Sequence, residues 1–106
     1  MLTVAQEYAA PEILGHIWVY DDGIVKGLLH LEGDEIRELY VDHFFQGQGV
    51  GAALIGFAIE QHGARQLWAL EKNTGALRFY ARHGFAPTGE MEFEEGTTEH
   101  LLRLAR

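Results

Sequence analysis

The run Gln46-Gly47-Gln48-Gly49-Val50-Gly51 restricts what this chain can become more than any other feature. It follows an alternating stretch that ends at Val41 and precedes one in which Val50, Ala53, Leu54, Phe57, Ala58 and Gln61 recur at helical spacing up to His62-Gly63. A strand, a glycine-rich turn and a helix in succession expose backbone N–H groups at a helix N-terminus, where the macrodipole also favours negative charge. Glycine suits the turn because it reaches positive φ without steric cost and leaves the amides approachable. The spacing is neither that of a Rossmann GxGxxG nor that of a P-loop, since no Lys-Ser/Thr follows, and this disfavours a nucleoside triphosphatase.

The surrounding sequence predicts the scaffold. His16 to Tyr20 and Ile24 to Leu31 read as strands joined by Asp21-Asp22-Gly23, in which Asp-Gly is a strong hairpin signal. After Gly33-Asp34 comes a third strand, Glu35 to Val41. Strict alternation would put Glu35, Arg37, Leu39 and Val41 on one face and Ile36, Glu38 and Tyr40 on the other. Gln66 to Leu70 reads as a buried strand, and Ala76, Leu77, Tyr80 and Ala81 mark a second helix that stops at His83-Gly84. In the tail, Met91 and Phe93 alternate inward between Glu90, Glu92 and Glu94, and a turn at Glu95-Gly96 leads to a last strand from Thr98 to Leu104. Near the start, Thr3 and Gln6 lie at capping-box spacing ahead of Tyr8 and Ala9, and Pro11 ends what is at most one short helix.

The expected product is a single α/β domain over residues 1–106, with 1–14 as a short N-terminal remnant. It should contain a mixed, mostly antiparallel sheet of about six strands and two main helices, with the chemistry at the strand-helix-strand crossover.

Composition narrows the function classes. Sixteen acids against 8 bases give a net charge of −8, which repels phosphate backbones and anionic lipid surfaces, so neither nucleic acid nor membrane is expected as a partner. No stretch approaches the roughly 18 apolar residues of a membrane span, and the first residues lack a basic leader, so a cytoplasmic location is expected. Cysteine is absent, which removes disulfides, thiolate metal sites and a cysteine nucleophile. The histidines at 16, 30, 43, 62, 83 and 100 show no paired ligand spacing, and no metal is expected.

Gln46-x-x-Gly49-x-Gly51 after a strand resembles the acyl-CoA pyrophosphate signature of the GNAT family of N-acetyltransferases. Asn73-x-x-Ala76-x-x-Phe79-Tyr80-x-x-x-Gly84-Phe85, one strand later, resembles that family's second signature. Their order and spacing agree with the family, as does Glu38-Leu39-Tyr40-Val41-Asp42 before the first. The resemblance covers roughly Leu14 to Leu104, with an N-terminal region reduced relative to the family.

The resemblance implies two central parallel strands, Glu35 to Val41 and Gln66 to Leu70, that splay apart to admit the pantetheine arm of acetyl-CoA. It implies that amides of Gln46, Gly47, Gln48, Gly49, Val50, Gly51 and Ala52 hold the pyrophosphate. Main-chain groups of Leu39, Tyr40 and Val41 would bind the pantetheine, and Asn73 and Tyr80 would lie beside the thioester sulfur. Gln48 stands where the family often has Arg or Lys, so the phosphate contacts would rest on neutral amides.

The implied reaction is direct acetyl transfer to a primary amine, on a small molecule or on a protein or peptide. Tyr80, a phenol with a reference pKa of about 10, is the candidate acid for the leaving sulfur. Glu38 and Glu35 are the candidate bases, only one of which would serve if they face opposite ways, with Asp42 and His43 behind them. The alternative is a non-catalytic acyl-CoA-binding regulatory or interaction module. Apolar surface left by the reduced N-terminal region is compatible with a homodimer.

Overall fold

The computed structural model of the protein describes residues 4–8 and 15–106. Contacts divide the chain into two compact units, one ending at Ala64 and the other running from Arg65 to Arg106.

In the first unit, strands β1 (Val4–Tyr8), β2 (His16–Asp21), β3 (Val25–Glu32) and β4 (Glu35–Val41) form an antiparallel meander, followed by helix α1 (Val50–His62). All six strands expected from residue 16 onward are present in the chain, and β1 is an additional one. The short helix expected around Gln6 and Tyr8 is therefore corrected to a strand. Five residues cannot hold an isolated helix, whereas antiparallel pairing with Ile17 to Tyr20 of β2 satisfies their backbone groups. Thr3, Ala9 and Pro11, on which the rest of that expectation rested, lie outside the described residues.

The β3–β4 ladder contains the feature that most changes the reading of the site. His30 pairs with Glu38, yet the next residue of β3, Leu31, pairs with Ile36, so Arg37 is an extra residue bulged out of β4. Residues directly opposite one another share a face. Ile36, Leu39 and Val41 therefore share the face of Leu31, Leu29 and Gly27, while Glu35, Glu38 and Tyr40 share the face of Glu32, His30 and Leu28. Glu35 and Glu38, expected on opposite faces, lie on the same one, because the bulge shifts the alternation by one residue.

Helix α1 packs on β3 and β4. Val50, Leu54, Ile55 and Ala58 are its buried residues; Ile55 replaces Gln61, which is exposed, in the expected stripe. Leu29, Leu54 and Ile55 are fully buried, and burying each such side chain contributes about 1.5–3 kcal/mol. The helix ends where the sequence predicts, at Gly63 in the left-handed conformation (φ 65°), whose N–H reaches the carbonyls of Ala58 and Ile59. At the C-terminal end Trp18 of β2 meets Phe57 edge-on at 5.5 Å and His62 at 4.4 Å between ring centroids.

The second unit contains β5 (Gln66–Leu70), helix α2 (Thr74–Arg82), β6 (Ala86–Phe93) and β7 (His100–Ala105). β7 pairs antiparallel with both β5 and β6. Leu67 and Leu104 face one another across β5–β7 and are each 1% exposed, as is Phe85. Every residue of β6 is exposed. Met91 and Phe93, expected to point inward, are 50% and 63% exposed. Alternation of apolar and acidic residues marks the two faces of a strand; whether anything covers the apolar face depends on non-local packing.

Gly27 lies directly opposite Val41, and a Cβ there would meet the Tyr40 carbonyl oxygen at 2.6 Å, Leu54 Cδ1 at 3.1 Å and Val50 Cγ1 at 3.2 Å. The first contact is backbone and cannot give way cheaply. Gly27→Ala should cost about 2 kcal/mol and lower the melting temperature by about 10 °C in a circular dichroism melt. An unchanged melt would show that β3 and α1 do not meet this closely.

Candidate functional site

The end of β4 leads into the site through linked local bonds. The Asp42 N–H donates to the Lys26 carbonyl at 2.8 Å, extending the β3–β4 ladder by one rung. Asp42 then caps a single 3-10 turn, His43–Phe45: its Oδ1 accepts from the Phe44 N–H and its carbonyl from the Phe45 N–H, both at 2.9 Å. The Lys26 ammonium lies over the Phe45 ring at 4.9 Å from the centroid and pairs with Asp22 at 2.8 Å, holding that carboxyl below its usual range. One lysine thus connects the first hairpin to the turn after β4.

Gln46 is extended, and its Nε2 donates loosely to the Val41 carbonyl at 3.4 Å. Gly47 (φ 79°) and Gly49 (φ 83°) follow in the left-handed region, which explains glycine at both positions. A Cβ at either would meet nothing within 4 Å, so the space over the turn is open. The first bond of α1 runs from the Ala53 N–H to the Gly49 carbonyl at 3.0 Å, and Gly49 brings no side-chain cap. The N–H groups of Val50, Gly51 and Ala52 therefore have no acceptor within the helix, at the positive end of its dipole. Open backbone amides beside two left-handed glycines fit an anion such as a diphosphate.

Alternation along the ladder also orients the main chain of β4. With Asp42 bonded toward β3, the N–H and C=O groups of Val41 and Leu39 point away from β3, while those of Tyr40 point toward it. Of the three residues expected to offer backbone groups, Leu39 and Val41 have them on the outer side. The Tyr40 side chain is 50% exposed on the face opposite α1.

The candidate bases separate. Glu35 is half-buried and bonded to Arg37 Nη1 at 2.9 Å. Glu38 is exposed and forms no ion pair among the described residues. Asp42 is occupied as a cap, and His43 is exposed with its ring 6.1 Å from that of Phe44.

In the second unit Asn73 caps α2, its Oδ1 accepting from the Ala76 N–H at 3.1 Å, which leaves its amide nitrogen uncommitted among the described residues. Tyr80 sits on α2 with its ring edge-on to the buried Phe85 (6.1 Å) and to Phe79 (5.3 Å). Burial raises its pKa above the usual phenol value, and its hydroxyl has no hydrogen-bond partner among the described residues. It is a protonated phenol whose O–H is available as a donor among the described residues.

Sequence reasoning missed Gly27, Lys26 and the extra residue Arg37. The first had a signal, since a lone glycine inside an apolar strand marks a close backbone approach; the other two had none. Among the described residues no group of three or more His, Asp or Glu side chains is placed to hold a metal ion, and no helix is long and apolar enough to cross a membrane.

Residues 14–87 match the acetyltransferase (GNAT) domain family. The chain is 48% identical over 75 residues to the uncharacterized N-acetyltransferase MJ1207 of Methanocaldococcus jannaschii, covering 66% of this chain and 32% of that protein. It is 32% identical over 95 residues to the peptidyl-lysine N-acetyltransferase YjaB of Salmonella typhimurium, covering 89% of this chain and 66% of that one. The chain thus spans about a third of one relative and just under two thirds of the other. The solution structure of apo-form YjaB from Escherichia coli superposes with a TM-score of 0.76 at 28% identity, covering 86% of this chain and 64% of that one.

The Tyr80 environment gives a direct test. In an alkaline titration followed by phenolate absorbance, the native chain should show a component titrating above about 10 that is missing from Tyr80→Phe. The same late component in both proteins would show that burial does not act on this hydroxyl.

Proposed function

The chain belongs to the GNAT family of acetyltransferases, and we propose that it transfers the acetyl group of acetyl-CoA directly to a primary amine. The observation that carries this reading is the set of uncapped amides of Val50, Gly51 and Ala52 beneath an open turn of left-handed glycines.

Acetyl-CoA supplies an activated acyl group on a thiol that leaves once the amine has attacked. The amides of residues 46–52 hold the diphosphate by dipole and hydrogen bond, without a cationic side chain. Outward-facing main-chain groups of Leu39 and Val41 align the amide-bearing pantetheine arm as a strand would be aligned, and a backbone N–H of β4 stabilises charge developing on the acyl oxygen. Glu38, exposed and without an ion pair among the described residues, takes the proton from the incoming ammonium. Glu35 is committed to Arg37 and is the weaker candidate. Tyr80 donates its proton to the departing sulfur, a role suited to a phenol that burial keeps protonated. The amide nitrogen of Asn73, uncommitted among the described residues, is available as a second donor. A lysine side chain on a protein or peptide is the acceptor class named for one relative, and it fits the acidic character of this chain.

Two measurements test the reading. Acetyl-CoA at about a hundred times its Kd should stabilise the protein by about 2.7 kcal/mol in a thermal melt. Amine-dependent release of free thiol should fall about a hundredfold in Tyr80→Phe, with Glu38→Gln losing activity most at neutral pH, where the acceptor is protonated. Stabilisation without thiol release for any amine would assign a binding module instead, and the absence of both would remove acyl-CoA from the account.

A further inference from the structure

An outer edge of the sheet lies along β6, every residue of which is exposed. Strand β6 ends the sheet, with β7 its sole strand neighbour among the described residues. Its first half is protected in the manner of natural edges. Pro87 lacks an N–H, and between Pro87 and Met91 the register advances four residues against two of β7, with Gly89 at φ 96°. Beyond that irregularity the strand runs regularly from Met91 to Phe93 and carries no such protection.

The direction of its backbone groups follows from the ladder. The Glu94 N–H donates to the Glu99 carbonyl at 2.8 Å, so Glu94 and Glu92 point their main-chain groups toward β7. Met91 and Phe93 then direct theirs outward. The side chains divide in the same register, Met91 and Phe93 on one face, both exposed, and Glu92 and Glu94 on the other, with Glu90 exposed in the irregular stretch just before them. None of those three carboxylates has an ion-pair partner among the described residues. The nearby cations are engaged, Lys72 with Glu99 at 3.0 Å and Arg103 over Trp68 at 5.2 Å.

We propose that the Met91–Phe93 edge of β6 is a docking site for an extended basic peptide, which adds as a further strand with apolar residues on the Met91 and Phe93 face and lysine or arginine on the Glu92 face. Charge decides between this partner and a second copy of the chain. Edge-to-edge pairing of two β6 strands would bring Glu92 and Glu94 against the same acids of the partner, and like charges opposite one another destabilise a ladder. A basic strand turns each of those contacts into an attraction and uses the same outward N–H and C=O groups. The surface thus rejects itself and accepts the opposite sign.

The test uses the whole chain and requires neither acetyl-CoA nor turnover, so it stands or falls apart from the transfer reaction. Three fluorescein-labelled peptides are titrated by anisotropy: alternating valine and lysine, alternating valine and glutamate, and the valine-lysine residues with prolines interspersed. The first should bind at least about tenfold more tightly than either of the others. Binding should slow hydrogen exchange at the amides of Met91 and Phe93. Met91→Pro removes one outward donor without breaking a bond to β7, and Glu92→Lys inverts the central charge at an exposed position that leaves the fold intact. Each should weaken binding about tenfold, the second serving if the first fails to fold. Equal binding of the proline-interrupted peptide, unchanged affinity in Glu92→Lys, or protection confined to other amides would overturn the proposal. So would protection of Met91 and Phe93 that rises with protein concentration alone, since the occupant would then be a second copy.

Discussion

The first turn of α1 lies against β3 across a position that has no side chain, and the site depends on that contact. Val50 and Leu54 come so close to Gly27 that even a methyl group would strike them, and the Tyr40 carbonyl is closer still. This approach fixes where the helix begins relative to the end of β4. It therefore fixes where three backbone amides without intrahelical acceptors are presented. A longer separation would leave the helix intact and move its positive end away from the end of β4. Local capping by Asp42 and the Lys26–Phe45 contact act on the same segment and hold the connection short.

Strand β4 presents one apolar and one polar face, and the bulge decides which of its acids share the second. Ile36 is buried on the face covered by α1, yet two residues later Glu38 must stand on the opposite, polar face beside Glu35. Ordinary alternation would return position 38 to the side of position 36. Because Arg37 is bulged out of the ladder, position 38 takes the other face, and the same Arg37 pairs with Glu35, leaving Glu38 the uncommitted one of the two. The bulge therefore separates two acids that are equivalent on paper.

What could be read from the sequence was local. The turn of residues 46–51, the stop of α1 at Gly63 and the end of α2 near His83 each follow from a few neighbouring residues whose conformational preferences are strong. The two signatures, one strand apart, identified the family for the same reason. The missing parts were the ones that depend on distant partners. Gly27 has meaning only once Val50 and Leu54 are known to lie over it, and the shift at Arg37 exists only in relation to β3. Val4–Tyr8 became a strand because β2 offered it a ladder, against a capping pattern that suggested otherwise. Met91 and Phe93 were correctly paired on one face, but their exposure reflects what lies above the sheet, which periodicity does not encode.

The extra residue in β4 also makes the strand unevenly sensitive to its length. Loss of the single codon for position 37 would leave Glu35, Ile36 and the run from Glu38 to Val41 opposite the same six residues of β3 in an unbroken ladder, with every side chain on its present face. What would go is the guanidinium held by Glu35, and with it the difference between the two acids. Loss of the codon for Leu39 would instead draw the bulge into the ladder and carry Glu38 onto the face of Leu29. An in-frame deletion is therefore absorbed at one position of this strand and turns an acid inward two positions later.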